Sequence, residues 1–127
     1  MDFTTAVRTA LLERYADFRG RSSRSEYWWF VLFNILVQIF LNLLTSMAAA
    51  FAFLSLIVML GLLVPGIAVG VRRLHDLGKS GWWLLLGFIP IVGAIVLIYW
   101  FIQPGEDQPN DWGPNPLGPV NPARTFE

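Results

Sequence analysis

Between Glu26 and Arg72 the chain carries no charged side chain, so residues 27–71 are an uncharged run of 45. As a single helix this run would be about 68 Å long, more than twice the roughly 30 Å of a bilayer's hydrocarbon core. It must therefore cross, turn and cross back. A second uncharged stretch, 80–105, is long enough for a further crossing. The chain reads as an integral membrane protein, because a soluble fold of 127 residues has no interior able to absorb this much apolar surface.

Composition agrees and narrows the function classes. Hydrophobic residues make up 55% and charged ones 14%, against about 25% charged in an ordinary soluble domain. Net charge is zero, which leaves no bulk electrostatic case for nucleic acid. There is no cysteine, which removes disulfides, thiolate nucleophiles and lipidated cysteines. Nothing in the first 25 residues looks like the apolar core of a cleaved signal peptide, so the first span is expected to serve as an uncleaved insertion signal.

The expected fold is an all-α membrane protein: three transmembrane helices, the third kinked at Pro90, preceded by an N-terminal amphipathic helix. Phe3, Val7, Leu11, Tyr15 and Phe18 recur at steps of three and four, which predicts a helix over 3–18 ended by Gly20. It forms the first unit, 1–20, lying in the interface or on the bundle. The transmembrane unit, 21–103, holds spans at about 27–46, 51–71 and 82–102. Ser23 and Glu26 have capping-box spacing at the start of the first. A turn near 46–50 and a polar loop at 72–81 join the spans. Pro90 and Gly93 are expected to kink the third span. The proline-rich remainder, 104–127, is expected to be extended and loosely ordered.

Basic residues set the expected orientation. Arg8, Arg14, Arg19, Arg21 and Arg24 precede the first span, and Arg72, Arg73 and Lys79 follow the second. The positive-inside rule places both segments in the cytoplasm, and three spans then place the tail outside. Tyr27, Trp28, Trp29, Trp82 and Trp83 fall at the inner interface, and Tyr99, Trp100 and Phe101 at the outer one. A re-entrant break at Pro90 is the alternative, and it would return the tail to the cytoplasm.

Three features carry chemistry. Asn34, Gln38 and Asn42 lie on one face of the first span. They either hydrogen-bond between helices or line a polar path, and helix packing is favoured. Gly66 and Gly70 are a small-xxx-small pair that lets another helix approach. Arg72, Arg73 and Lys79, with Trp82, Trp83, Arg21 and Arg24 on the same side, form a cationic cluster at head-group depth. It anchors topology, or it binds an anionic head group or a phosphorylated ligand. His75 and Asp76 are the sole candidate acid–base pair, but adjacent residues diverge on a helix and no nucleophile accompanies them. Asp76 is instead expected to pair with Arg72, Arg73 or Lys79, and Glu26 with Arg72 or Arg73. No metal or cofactor is expected.

Basic residues before EYWWF at 26–30, RRLHDLGKSGWW at 72–83, the break at Pro90 and PGEDQPNDWGPNP at 104–116 resemble the domain-of-unknown-function 805 family. The resemblance covers about 19–116. It implies a small bacterial inner-membrane protein of three or four helices, with no known activity. Some members carry soluble domains beside this module, which suggests a membrane platform. Gln108 and Asp111 depart from the family pattern, where a glycine and a basic residue are expected.

The leading functional expectation is a membrane-embedded lipid- or partner-binding module without catalysis, its partners anionic lipids, another protein or a second copy. A transport component using the Asn34–Gln38–Asn42 face is the alternative, and a lipid-acting membrane enzyme the third.

Overall fold

The computed structural model describes residues 2–117. The elements among its described residues are helices, in the order α1 (Phe3–Arg8), a π-helical turn (Thr9–Glu13), α2 (Arg24–Met47), α3 (Phe51–Asp76), a 3₁₀ helix (Gly81–Phe88) and α4 (Val92–Ile102). α2 and α3 are long and apolar enough to cross a membrane, and α4 is a shorter apolar helix.

α2 begins where the capping box predicts: the Ser23 hydroxyl accepts from the Glu26 main-chain N–H at 3.3 Å. At about 1.5 Å per residue α2 is roughly 36 Å long and α3 roughly 39 Å, each enough for one crossing. They run antiparallel around a turn at 48–50, where the Thr45 and Ser55 hydroxyls lie 3.3 Å apart. Most of their surface faces outward and is apolar: Phe40 is 60% exposed and Phe53 70%. Lipid can cover such a surface where water cannot.

α3 continues to Asp76, so residues 72–76 form its last turn rather than a loop. Pro65 lies within α3. It has no N–H, so the Gly61 carbonyl one turn earlier loses its helical donor. The Tyr15 hydroxyl replaces it, donating to that carbonyl at 2.7 Å.

The expected single kinked span over 82–102 is not what forms. The 3₁₀ helix and α4 are joined by a reversal at 89–91, in which Ile91 takes φ 64° and the Val92 N–H donates to the Pro90 carbonyl at 2.7 Å. Pro90 supplies no donor and Gly93 has no side chain, so the two arms close on each other: a Cβ on Gly93 would sit 1.7 Å from the Leu86 carbonyl oxygen. Trp83 at the start of one arm meets Trp100 at the end of the other, with ring centroids 5.8 Å apart. Each arm is about 16 Å long, near half a hydrocarbon core. The chain thus returns to the end of the bundle from which the hairpin starts. Tyr99, Trp100 and Phe101 are therefore not at the opposite end from Trp82 and Trp83.

The N-terminal helix is also shorter than the periodicity predicts. It stops at Glu13 because the next carbonyls are taken elsewhere: Arg14 and Asp17 offer theirs to Arg72 Nη1 at 3.1 and 2.7 Å. Phe3 packs edge-on against Trp29 at 5.8 Å, and Ala10 joins Phe30 and Val69 in a small core. A second core joins Leu74 of α3 to Leu97 and Phe101 of α4.

Residues 104–117 are not a loose tail. They fold back over the ends of α2 and α3, for reasons that lie in the charged cluster described next. Residues 118–127, the rest of the expected tail, lie outside the described residues.

Candidate functional site

The cationic cluster expected at head-group depth is largely turned inward. Arg72 and Arg73 are completely buried, and Arg21 is 4% exposed. Arg72 Nη2 donates to Glu26 Oε1 at 2.9 Å and its Nε to the Ser22 hydroxyl at 2.8 Å. Arg73 Nη1 meets Asp76 Oδ2 at 2.6 Å, one helical turn away. Arg21 reaches the other oxygen of the same carboxylate, with Nη2 to Oδ1 at 2.8 Å. Asp76 is thus shared between Arg21 and Arg73, and Glu26 belongs to Arg72.

Three guanidinium groups face two carboxylates, so carboxylates alone cannot satisfy the donors. Main-chain carbonyls complete the set, and this decides the path of the chain. Arg73 Nη2 donates to the carbonyls of Phe101, at 3.3 Å, and Gln103. Arg21 donates to the carbonyls of Glu106, at 2.6 Å, and Gln108, at 2.8 Å. The Glu106 N–H returns a bond to the Asp76 carbonyl at 2.8 Å. Buried arginine donors without acceptors would be costly, so the end of α4 and the tail are drawn onto them. Gly105 permits the approach, since a Cβ there would lie 2.0 Å from Asp76 Oδ2.

His75 is buried beside this cluster and not against a reactive group. Its ring stacks on Trp112, with centroids 4.7 Å apart and planes 7° from parallel, and its Nδ1 lies 2.9 Å from the Gly20 carbonyl. Asn110 ties its side chain to the His75 carbonyl at 2.9 Å and to Glu106 Oε1 at 2.7 Å. The Asp76 carboxylate is held by Arg21 and Arg73, whereas the His75 ring is held by Trp112 and the Gly20 carbonyl. Among the described residues no group of three metal-ligating side chains is found.

The remaining expected residues are not among its buried charges. Lys79 sits 4.6 Å over the Trp100 ring, Trp82 is 79% exposed, and Trp83 packs on Trp100. Arg24 donates to the Ile102 carbonyl at 3.1 Å. Arg19 is the outward-facing arginine of the loop, its side chain 95% exposed. Arg19 and Trp82 are exposed and Lys79 is half-buried, so these, and not Arg72 and Arg73, are left for a rim of head groups.

The amide face lies elsewhere on α2. Asn34, Gln38 and Asn42 line a groove of about 310 Å³ with Gly66 of α3. Asn34 and Gln38 also border a second groove of about 220 Å³, which Leu84 of the hairpin lines too. The buried Asn34 Oδ1 has no hydrogen-bond partner. The expected interhelical bonds from this face are thus missing at Asn34. Gly70 accommodates Leu84, whose Cδ1 would lie 3.3 Å from a Cβ there, while Gly66 faces Phe30 beside the groove.

The contacts made by Tyr15, Ser22, Asn110 and Trp112 were not anticipated from the sequence. Pro65 signals that a donor is needed near Gly61, but nothing local shows that Tyr15 supplies it.

The family described as protein of unknown function, DUF805, matches residues 15–114. The chain belongs to the DUF805 family. The matched stretch runs from the Tyr15 contact to the Trp112 turn and contains every buried charge of the cluster. Two Escherichia coli relatives are named as inner membrane proteins. YhaI is 36% identical over 108 residues, covering 84% of this chain and 92% of its own. YhaH is 40% identical over 111 residues with the same coverage. A third relative, the uncharacterized E. coli protein YiiR, is 39% identical over 99 residues, 70% of this chain and 60% of its own. No solved structure matches the chain.

Proposed function

We propose that this DUF805 protein is a multi-pass, non-catalytic module of the bacterial plasma membrane that binds a partner within the bilayer. The observation that carries this reading is the amide groove: Asn34, Gln38 and Asn42 line it, with Asn42 exposed and Gln38 half-buried on an otherwise apolar helix surface. Amides in hydrocarbon are costly unless another polar group meets them. Counted from the α2 start at Arg24, they lie about 15 to 27 Å along the helix, too deep for head groups.

In this reading α2 and α3 each cross the membrane and the 81–102 hairpin enters from the cytoplasmic side without crossing. The N-terminal segment, the buried arginines and residues 103–117 then share the cytoplasmic side, consistent with the basic residues. Anionic lipid meets the rim of Arg19, Lys79 and Trp82. The buried arginines hold the fold together and are not a ligand site.

Native mass spectrometry of protein released from nanodiscs tests this reading. The protein should keep a bound partner that the Asn34→Leu, Gln38→Leu, Asn42→Leu triple variant loses and Lys79→Ala retains. If retention followed Lys79 and ignored the amides, lipid binding at the rim would replace partner binding in the groove.

A further inference from the structure

We infer that the occupant of the groove is a second copy of this chain, docked α2 against α2 about a two-fold axis along the membrane normal. This rests on the partner-binding reading above and names the partner.

The groove stripe of α2 has the spacing of a helix-pairing seam. Val31, Ile35, Gln38 and Asn42 all line it, at steps of four, three and four. That repeat keeps one narrow face toward a neighbouring helix running alongside. On the opposite side of α2, Leu36 and Phe40 are exposed and wholly apolar, so lipid satisfies them. The amides are confined to the groove side.

The chemistry of the seam selects a like partner. It contains amides and no charge, so it offers nothing to attract an ion or a charged segment. Each amide carries both donors and an acceptor, so it can pair with its own copy. Two copies inserted in one membrane share an orientation, because the same basic residues set it. A two-fold axis along the normal therefore places Gln38 opposite Gln38 and Asn42 opposite Asn42 at equal depth. Asn42 is exposed and Gln38 half-buried, so both amides are open to such a neighbour. A solute or lipid tail could fill the 310 Å³ space but would not match amides spread over two helical turns.

The chain has no cysteine, so a single introduced thiol reports proximity without a background. In native membranes, Val31→Cys and Ile35→Cys should each oxidise to a disulfide-linked dimer, while Leu36→Cys and Phe40→Cys should not. None of these changes alters an amide. Adding Gln38→Leu and Asn42→Leu to the Ile35→Cys chain should weaken the dimer about tenfold, since two amide pairs are lost.

Failure of the two readings can be told apart. No dimer from Val31→Cys or Ile35→Cys, or equal cross-linking from all four positions, overturns the second-copy assignment. If a photo-reactive residue at Ile35 then captures a different membrane protein, partner binding survives and only the like partner is wrong. If it captures neither, and the triple Leu variant also retains everything the parent protein binds, both readings fall.

Discussion

The Tyr15 hydroxyl donates a hydrogen bond to the Gly61 carbonyl at 2.7 Å, at the place where Pro65 has removed that carbonyl's helical donor. The N-terminal segment is thereby tied to the middle of α3, 46 residues away. A carbonyl left open at this depth has little water to turn to.

Tyr15→Phe is expected to cost about 0.5–1.5 kcal/mol, the range of one hydrogen bond. Pro65→Ala restores an N–H to α3, so Gly61 regains its own helical partner. In that background Tyr15→Phe should cost almost nothing. Unfolding free energies of the four proteins in a double-mutant cycle check this. Equal costs in both backgrounds would show that Tyr15 acts by packing alone.

Breaking the Glu26–Arg72 pair should be far more damaging than losing a surface ion pair. Both side chains are almost fully buried, and removing one partner strands the other's charge. Glu26→Gln is expected to destabilise by about 3–5 kcal/mol. The apolar pair Glu26→Leu with Arg72→Met should recover only part of that loss, because Arg72 also serves the Arg14 and Asp17 carbonyls. Thermal unfolding in detergent would measure both. Full recovery in the double variant would mean that those carbonyl contacts contribute little.

The reversal at Ile91 stores backbone strain. A positive φ is unfavourable for a β-branched residue, at about 1–3 kcal/mol. The side chain is 75% exposed and gives up little packing within the chain. Ile91→Gly should therefore stabilise the protein by about 1 kcal/mol, the relief exceeding glycine's entropic cost. A lower unfolding temperature for this variant would show that lipid contact at Ile91 outweighs the strain.

Asp17 lends the N-terminal loop an acid-sensitive element. Burial raises its carboxyl, but the Arg19 main-chain N–H and the Arg14 guanidinium, each at 3.0 Å, hold it below the ordinary 3.8. A lowered value in the folded state means that the unfolded chain takes up the proton first. The contribution is thus fully present above about pH 4 and is lost as the pH falls through the folded value, below 3.8. It is small, because the side chain is 30% exposed. Comparing the parent protein with Asp17→Asn between pH 3 and 6 isolates it. Parallel stability curves would remove this role for Asp17.

The sequence by itself determined the two long apolar helices, the turn between them and the start of α2. These follow from local quantities: an uncharged run of known length, and Ser23 three residues before Glu26. It also pointed to the Glu26–Arg72 pair among two alternatives, because helices joined by a short turn bring their outer ends together. The tertiary structure alone decided what the arginines do. Whether Arg72 and Arg73 face lipid or the interior depends on acceptors 28 to 58 residues distant, among them Phe101, Ser22 and Arg14. The same long-range demand shortens the N-terminal helix and draws residues 103–113 onto Arg73 and Arg21. Pro90 signalled a break, but a kink and a reversal share that signal. The reversal prevails where the closure at Gly93 and the bonds from Arg73 to the end of α4 both hold, and neither is visible within a window of neighbouring residues. Hydropathy and capping act between residues a few positions apart, whereas satisfying a buried charge requires partners from wherever the chain can supply them.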